Sequence, residues 1–485
     1  MSDHKALLKH SRNYLLANLA TKALAFISIP VYTRLLTVEE YGVIGVFMSI
    51  IGIAAVLFTL NSEVAISRYY YDAKSEEDFK RFVGSTIFLT MIILCFTTII
   101  FILIFPILAK TLSFSKTLTL CILPVALYQV TNNLFVQIYN PLMQSKKVAI
   151  VSSIQAYLAF GLSALCMMSM TGEKYYGYVY GNILAMVILS VYIYKQIKPY
   201  YIFAHEKEHY KYILNYCLPY IPYTLSGVIL LQFSRIFIGQ NQGYTLAGSY
   251  TLTTNIAALM MVVISVTHSA WNPYYFRYMN AKDTRSLDSD YNLIWRATLL
   301  IAFVLSAFGK ELALLLSKGG EYLTTIYVLP LLIIGYVFYQ WAYVYLRNTG
   351  YAKRNIWNAY CVLLSGIANI VLNACFVPIL SEVGAAIATC LSFLALLLLS
   401  WGVNRIVIKE YVPRIMVFIK PFICLVPFMF FLILNSLLIH SIGISILVKL
   451  TLCGLLGWLY WGMHYNNIMC LIKQRINWNE KIYTD

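Results

Sequence analysis

Long apolar stretches alternate with short polar segments over the whole 485-residue chain. Phe82 to Leu108, Ile356 to Leu380 and Gly384 to Val403 are each long enough to cross about 30 Å of hydrocarbon as a helix. The first half holds candidate spans at 12–33, 42–60, 82–108, 117–138, 148–171 and 175–195. The second half holds them at 212–238, 245–270, 290–316, 323–346, 356–378 and 384–404, and two more follow at 414–438 and 443–464. Helices satisfy their own backbone in lipid, so the expected fold is an all-α membrane protein with about 14 transmembrane helices. A composition of 60% hydrophobic and 12% charged residues agrees, because a soluble chain of this length needs more polar surface.

Four local patterns of the first half return in the second. Thr33-Arg34-Leu35-Leu36 is echoed by Ser234-Arg235-Ile236-Phe237, and Ser67-Arg68-Tyr69-Tyr70 by Phe276-Arg277-Tyr278-Met279. Ser145-Lys146-Lys147 is echoed by Ala352-Lys353-Arg354, and Gly177-Tyr178 by Gly384-Ala385. The offsets are 201, 209, 207 and 207 residues, regular enough for a duplication and too long for a solenoid. Six spans per half bring both halves in from the same side, so an axis along the membrane normal relates them. The predicted organisation is an N-terminal six-helix lobe (1–197), a cytoplasmic linker (198–211), a C-terminal six-helix lobe (212–404) and two extra helices with a cytoplasmic tail (405–485). Alternating-access transporters are often built from two such halves.

A net charge of +16 raises the question of nucleic acid. The basic residues sit in short loops on alternate sides of the spans rather than on a soluble patch. With the N-terminus in the cytoplasm, roughly 26 of the 36 basic residues fall on the cytoplasmic side and about 5 outside. Membrane topology therefore accounts for the excess, with anionic headgroups as secondary partners and no nucleic acid expected. The first twelve residues are basic and lead into an apolar stretch without a small-residue cleavage site, which reads as a retained first span.

Other chemistry is sparse. The ten cysteines lie mostly inside apolar runs without ligand spacing, so neither disulfides nor a metal site is expected. No cofactor or catalytic constellation is expected either, since the loops carry no paired carboxylates or activated nucleophile. The longest polar segments, Asn61 to Arg81, Lys195 to Lys211 and Trp271 to Asp290, are expected as cytoplasmic loops. His205 and His209 in the middle one read as a solvated linker face rather than metal ligands. Pro219 and Pro222 mark a bending point at the start of the second half, or simply reflect the frequency of proline in membrane helices.

Several segments resemble a known family. Tyr32-Thr-Arg-Leu-Leu-Thr-Val-Glu-Glu-Tyr-Gly-Val-Ile-Gly45 resembles the first hairpin of the polysaccharide-export branch of the MATE-like (MOP) superfamily, the Wzx-type O-antigen and capsule repeat-unit flippases. Asn369-Ile-Val-Leu-Asn373, Pro378 and Gly384-Ala-Ala-Ile-Ala-Thr389 resemble its eleventh and twelfth helices, and Ala247-Gly-Ser-Tyr250 its eighth-helix entry. Members of this group often carry an acid before the arginine of the seventh helix, where this chain has Ser234. Any coupling role of that acid does not transfer. The resemblance implies two six-helix bundles around a cavity that opens alternately to either side of the bacterial cytoplasmic membrane, with both termini cytoplasmic. It implies an undecaprenyl-diphosphate-linked oligosaccharide as cargo, and the polysaccharide polymerase and chain-length machinery as partners.

Such a cargo calls for fixed cations within the membrane and for aromatic rings and hydroxyls facing sugars. An intramembrane cation costs about 2.5–3.5 kcal/mol or more, so each is a candidate. Lys22 lies deepest in its span, and Arg235 with its repeat mate Arg34 lies toward the outer ends of theirs. Arg296 is expected at an inner vestibule, while Lys310 and Lys449 are expected to snorkel, with Glu311 paired to Lys310. Arg68 and Arg277 form a second repeat pair suited to bidentate phosphate capture or to interface anchoring. Tyr336, Tyr339 and Tyr343 share one face of the tenth span and are the candidate sugar-facing stripe. No aspartate falls deeper than the first residue of a span by these boundaries, which favours anionic over cationic cargo. A drug or cation exporter of the same superfamily and a lipid II flippase are the alternatives.

Overall fold

The computed structural model describes residues 24, 26–409, 411–438 and 442–461, and Lys22 lies outside them. Among the described residues the regular structure is entirely helical. The first helix, α1, covers 26–35 and turns directly into α2 (Val38–Thr59). Thr37 caps α2 with a reciprocal box: its hydroxyl accepts from the Glu40 amide while the Glu40 carboxylate accepts from the Thr37 amide. Such a cap contributes about 1 kcal/mol. The chain continues through α3 (Val64–Tyr69), α4 (Glu76–Thr111), α5 (Lys116–Leu120), α6 (Ile122–Tyr139), α7 (Ser145–Ser169) and α8 (Tyr175–Ile197).

A short helix α9 (Lys207–Cys217) precedes the second half. There follow α10 (Tyr220–Gln242), α11 (Tyr244–Ala257), α12 (Leu259–Ala281), α13 (Thr284–Ala307), α14 (Gly309–Leu316), α15 (Leu329–Tyr351) and α16 (Asn355–Val403). Then come α17 (Ile415–Leu438) and α18 (Ile442–Trp461). Among the described residues ten helices are long and apolar enough to cross a membrane, or eleven if the bent pair α13–α14 counts as one span. The other three of the expected fourteen lie where length alone does not separate them. The long α16 is two helices joined at Ser381, whose φ is 52°; Ile415–Met429 is a shorter apolar stretch; and the expected span 12–33 lies largely outside the described residues.

Three expectations need correction. The segment expected as a loop from Trp271 to Asp290 is helical except at Lys282 and Asp283, because α12 and α13 both run past the length lipid requires. Asp290 therefore sits inside α13, buried, accepting from the Trp271 indole at 3.3 Å. The seventh span starts at Tyr220 rather than 212, since residues 207–217 form the separate amphipathic helix α9. That helix packs against α3 and α4 of the first half. Its His209 is buried between Tyr69 and Phe82, with Nδ1 2.9 Å from the Ser85 hydroxyl, so it is no solvated linker residue.

Gly177 and Gly384 both lie at close helix crossings. Gly177 is near the start of α8 and Gly384 near the start of the helix after Ser381. At each, the backbone of the preceding helix approaches so closely that a methyl group would meet Met167 at 2.7 Å or the Phe376 carbonyl at 2.3 Å. Between the halves, α2 crosses α11 where Gly42 faces Gly248. A methyl group on Gly42 would lie 1.9 Å from the Tyr244 carbonyl oxygen, and one on Gly248 would lie 1.9 Å from that of Val38. Hydrogen bonds join the halves at this end: the Thr33 hydroxyl donates to the Leu316 carbonyl at 2.7 Å, and the Tyr322 hydroxyl to that of Leu36 at 3.0 Å.

The last two helices brace the second half. Trp295 of α13 donates to the Phe418 carbonyl of α17 at 2.8 Å. Lys449 of α18 is buried and pairs with Glu311 at 2.5 Å. This replaces two expectations, a snorkelling Lys449 and a local Lys310–Glu311 pair; Lys310 is exposed.

Candidate functional site

The tenth span is where charge and aromatic rings meet. Tyr339, Tyr343 and Arg347 follow one another at intervals of four on α15, which places them on one face. All three line a cavity of about 570 Å³ within the second half, together with Tyr223 of α10, Asn272 of α12 and Asn358 of α16. Tyr339 and Tyr343, from the predicted stripe, are therefore at the cavity wall. Tyr336, one turn earlier, is buried against Phe393 with ring centroids 5.7 Å apart.

Sequence reasoning missed Arg347 because the expected span stopped at 346, one residue short. Its side chain is buried, with the guanidinium carbon 5.2 Å from the Trp271 ring, 5.3 Å from Tyr275 and 5.6 Å from Tyr343. Ring faces are negative, so three of them hold a cation without neutralising it. The guanidinium donates to Nδ1 of His268, which stacks on Tyr343 at 4.0 Å. An arginine donor needs a lone pair there, so His268 carries its proton on Nε2. Among the described residues, the buried Nε of Arg347 and Nε2 of His268 make no hydrogen bond. The cavity lining thus holds one charged side chain, a cation with donor capacity to spare.

Arg235 lies at a second position, between the halves. It is held by neutral groups alone: Nε donates to Thr254 at 3.0 Å, Nη1 to Gln232 at 3.2 Å and Nη2 to Asn255 at 3.1 Å. Asn255 in turn donates to the Tyr41 hydroxyl and Ser49 to Gln232, which ties this cation to α2. Its neighbour Ser234 bonds Thr389 at 3.0 Å. Among the described residues no carboxylate comes within ion-pair distance of Arg235 or Arg347.

The other candidates are elsewhere. Arg34 donates to the Pro30 carbonyl at 2.9 Å and lines a separate polar cleft of about 650 Å³ with Lys174, Lys318, Glu40 and Glu321. Arg68 is exposed and paired with Asp72 at 3.2 Å. Arg277 is exposed near the end of α12. Arg296 is turned toward α18, donating to the Tyr460 carbonyl at 2.8 Å and to Asn292 at 3.0 Å. Acid is present too: Glu63, in the break between α2 and α3, is buried with Oε1 accepting from Asn133 at 3.1 Å. Neither Glu63 nor Asp290 lines the α15 cavity.

The chain is similar to known proteins in family and fold. Residues 7–279, or 273 of 485, match the family described as "Polysaccharide biosynthesis protein". A curated relative, "Lsg locus putative protein 1" of Haemophilus influenzae, is 24% identical over 291 residues, covering 56% of this chain and 67% of its own. Among solved structures, the lipid II flippase MurJ in an inward closed conformation superposes with a TM-score of 0.69 at 14% identity, over 94% of this chain and 99% of that one. An inward-facing multidrug resistance MATE transporter of the MOP superfamily gives 0.61 at 18% identity, over 80% and 94%. This multi-pass membrane protein has the fold of those transporters, and with more than half its length matched it belongs to the polysaccharide biosynthesis protein family.

Proposed function

We propose that the protein carries an undecaprenyl-diphosphate-linked oligosaccharide, an O-antigen or capsule repeat unit, from the cytoplasmic to the outer leaflet of the bacterial cytoplasmic membrane. The observation that carries this reading is the charge of the α15 cavity: one buried cation, Arg347, no acid in the lining, and tyrosines along the wall. A diphosphate needs a fixed cation with free donors, and sugars need ring faces and hydroxyls. A cation exporter would need the opposite sign in that lining.

The mechanism follows from the two halves acting as lobes, 1–197 and 212–404, about a seam made by α2, α10 and α11. In this structure the seam is closed where α2 meets α11, the end that the loop charges place outside. Cargo enters from the other side, its diphosphate drawn to Arg347 and then to Arg235 nearer the seam. Separation of the Gly42–Gly248 crossing opens the outer end. No covalent bond is made or broken. Cells lacking the protein test this: intact lipid-linked repeat units are expected to accumulate on the cytoplasmic leaflet, cleared by wild type and not by an Arg347→Ala variant expressed to the same level. Normal delivery to the outer leaflet without the protein or any other flippase would overturn the cargo.

A further inference from the structure

The α15 cavity and the Arg235 network supply places for charge and sugar, and neither supplies a place for a hydrocarbon chain. A cavity of about 710 Å³ lies on the other side of α2 and is almost purely apolar. Its walls are α2, through Ile50, Ala54 and Leu57, and α4, through residues from Ile92 to Leu108, with Thr97 as a polar side chain among them. We propose that this slot holds the polyprenyl tail of the lipid-linked cargo while the headgroup is in the protein, an inference that rests on the cargo reading above.

Length selects the occupant. From Ile92 to Leu108 is 16 residues, about 24 Å of helix axis. One leaflet of a 30 Å hydrocarbon core is only about 15 Å deep. A chain that fills the slot therefore crosses the bilayer midplane, farther than an acyl chain of one leaflet ordinarily extends and well within the reach of a long polyprenyl. Position agrees with length. Ile236 of α10 also lines the slot, directly after Arg235 in sequence. On α2, Ser49 bonds the Arg235 partner Gln232 while Ile50 faces the slot. The same two helices thus form the partition between the cation network and the slot, and a diphosphate at Arg235 has its tail beside that partition. The slot is open to lipid, with Phe96 64% and Leu57 45% exposed, while Leu103, 72% exposed on the same helix, does not line it.

The test uses the purified full-length protein in phospholipid nanodiscs with two photoreactive probes. One is undecaprenyl phosphate carrying a diazirine at the far end of its tail, and the other is phosphatidylcholine carrying a diazirine on an acyl chain. The polyprenyl probe is expected to label peptides of α2 and α4, and unlabelled undecaprenyl diphosphate is expected to displace it. Filling the slot with Ala54→Trp plus Thr97→Trp should cut that labelling at least five-fold, while Leu103→Trp, on the lipid side of the same helix, leaves it within two-fold. Labelling by the polyprenyl probe confined to other helices overturns the slot and leaves the cargo reading standing. Equal labelling of α2 and α4 by phosphatidylcholine that undecaprenyl diphosphate does not displace also overturns the slot. If the polyprenyl probe labels no part of the protein, the cargo reading falls and the slot with it.

Discussion

The two halves share a helical plan and differ in what they bury. In the first half the buried ionisable group near the end of the second span is an acid, Glu63, held by Asn133. The position 209 residues later, the offset that relates Arg68 to Arg277, is Asn272 of the α15 cavity. At the offset of 207 that relates Gly177 to Gly384, Arg347 corresponds to Asn140, an exposed residue at the end of α6. The second half thus has an amide where the first has a carboxylate, and a buried cation where the first has a surface amide. Arg34 and Arg235 diverge likewise, one at a polar cleft with Lys174 and Lys318, the other in a neutral network between the halves.

Breaking the second half's attachment to its two extra helices should have the largest effect. Lys449→Ala leaves Glu311 partly buried without its partner and is expected to cost about 3–5 kcal/mol, measured as thermal unfolding in detergent. The exposed Arg81–Glu77 pair of the first half should cost no more than about 1 kcal/mol when broken. Next is the cation itself. Arg347→Ala should weaken binding of undecaprenyl diphosphate by about 30–100-fold, the equivalent of about 2–3 kcal/mol for charged hydrogen bonds. Asn140→Ala, at the matching place in the first half, should change it less than two-fold. Equal effects at 347 and 140 would erase the distinction between the halves.

The α2–α11 crossing sharpens the comparison in the opposite sense, because it is symmetric. Gly42→Ala and Gly248→Ala each place a methyl group on a backbone carbonyl. Each should shift the closed seam toward the open form by about 1–3 kcal/mol, read as spin-label distances across that end. The smallest effect is expected at the first turn. Thr37→Ala removes the cap of α2 and should cost about 1 kcal/mol in unfolding.

Sequence made the spans legible because lipid imposes one length and one polarity on every helix. It failed where a helix outgrows that length. Arg347 escaped notice because the tenth span was ended at 346, and Asp290 because α12 and α13 extend beyond what the bilayer needs. The pairing of Lys449 with Glu311 spans 138 residues and leaves no local pattern. The amphipathic α9, with His209 buried on one face, reads as polar loop when hydropathy is averaged over a span-length window. Tyr339 and Tyr343 were recognisable from spacing alone, while the cation beside them was not.

The most direct test of a cation-bearing cavity in the second half is flipping of a fluorescent undecaprenyl-diphosphate-linked oligosaccharide in proteoliposomes, followed by quenching from outside. Wild type and Arg34→Ala are expected to bring the probe across at similar rates, while Arg347→Ala falls by at least 30-fold with protein content and folding unchanged. Wild-type rates in Arg347→Ala liposomes would contradict the assignment of that cavity to the cargo.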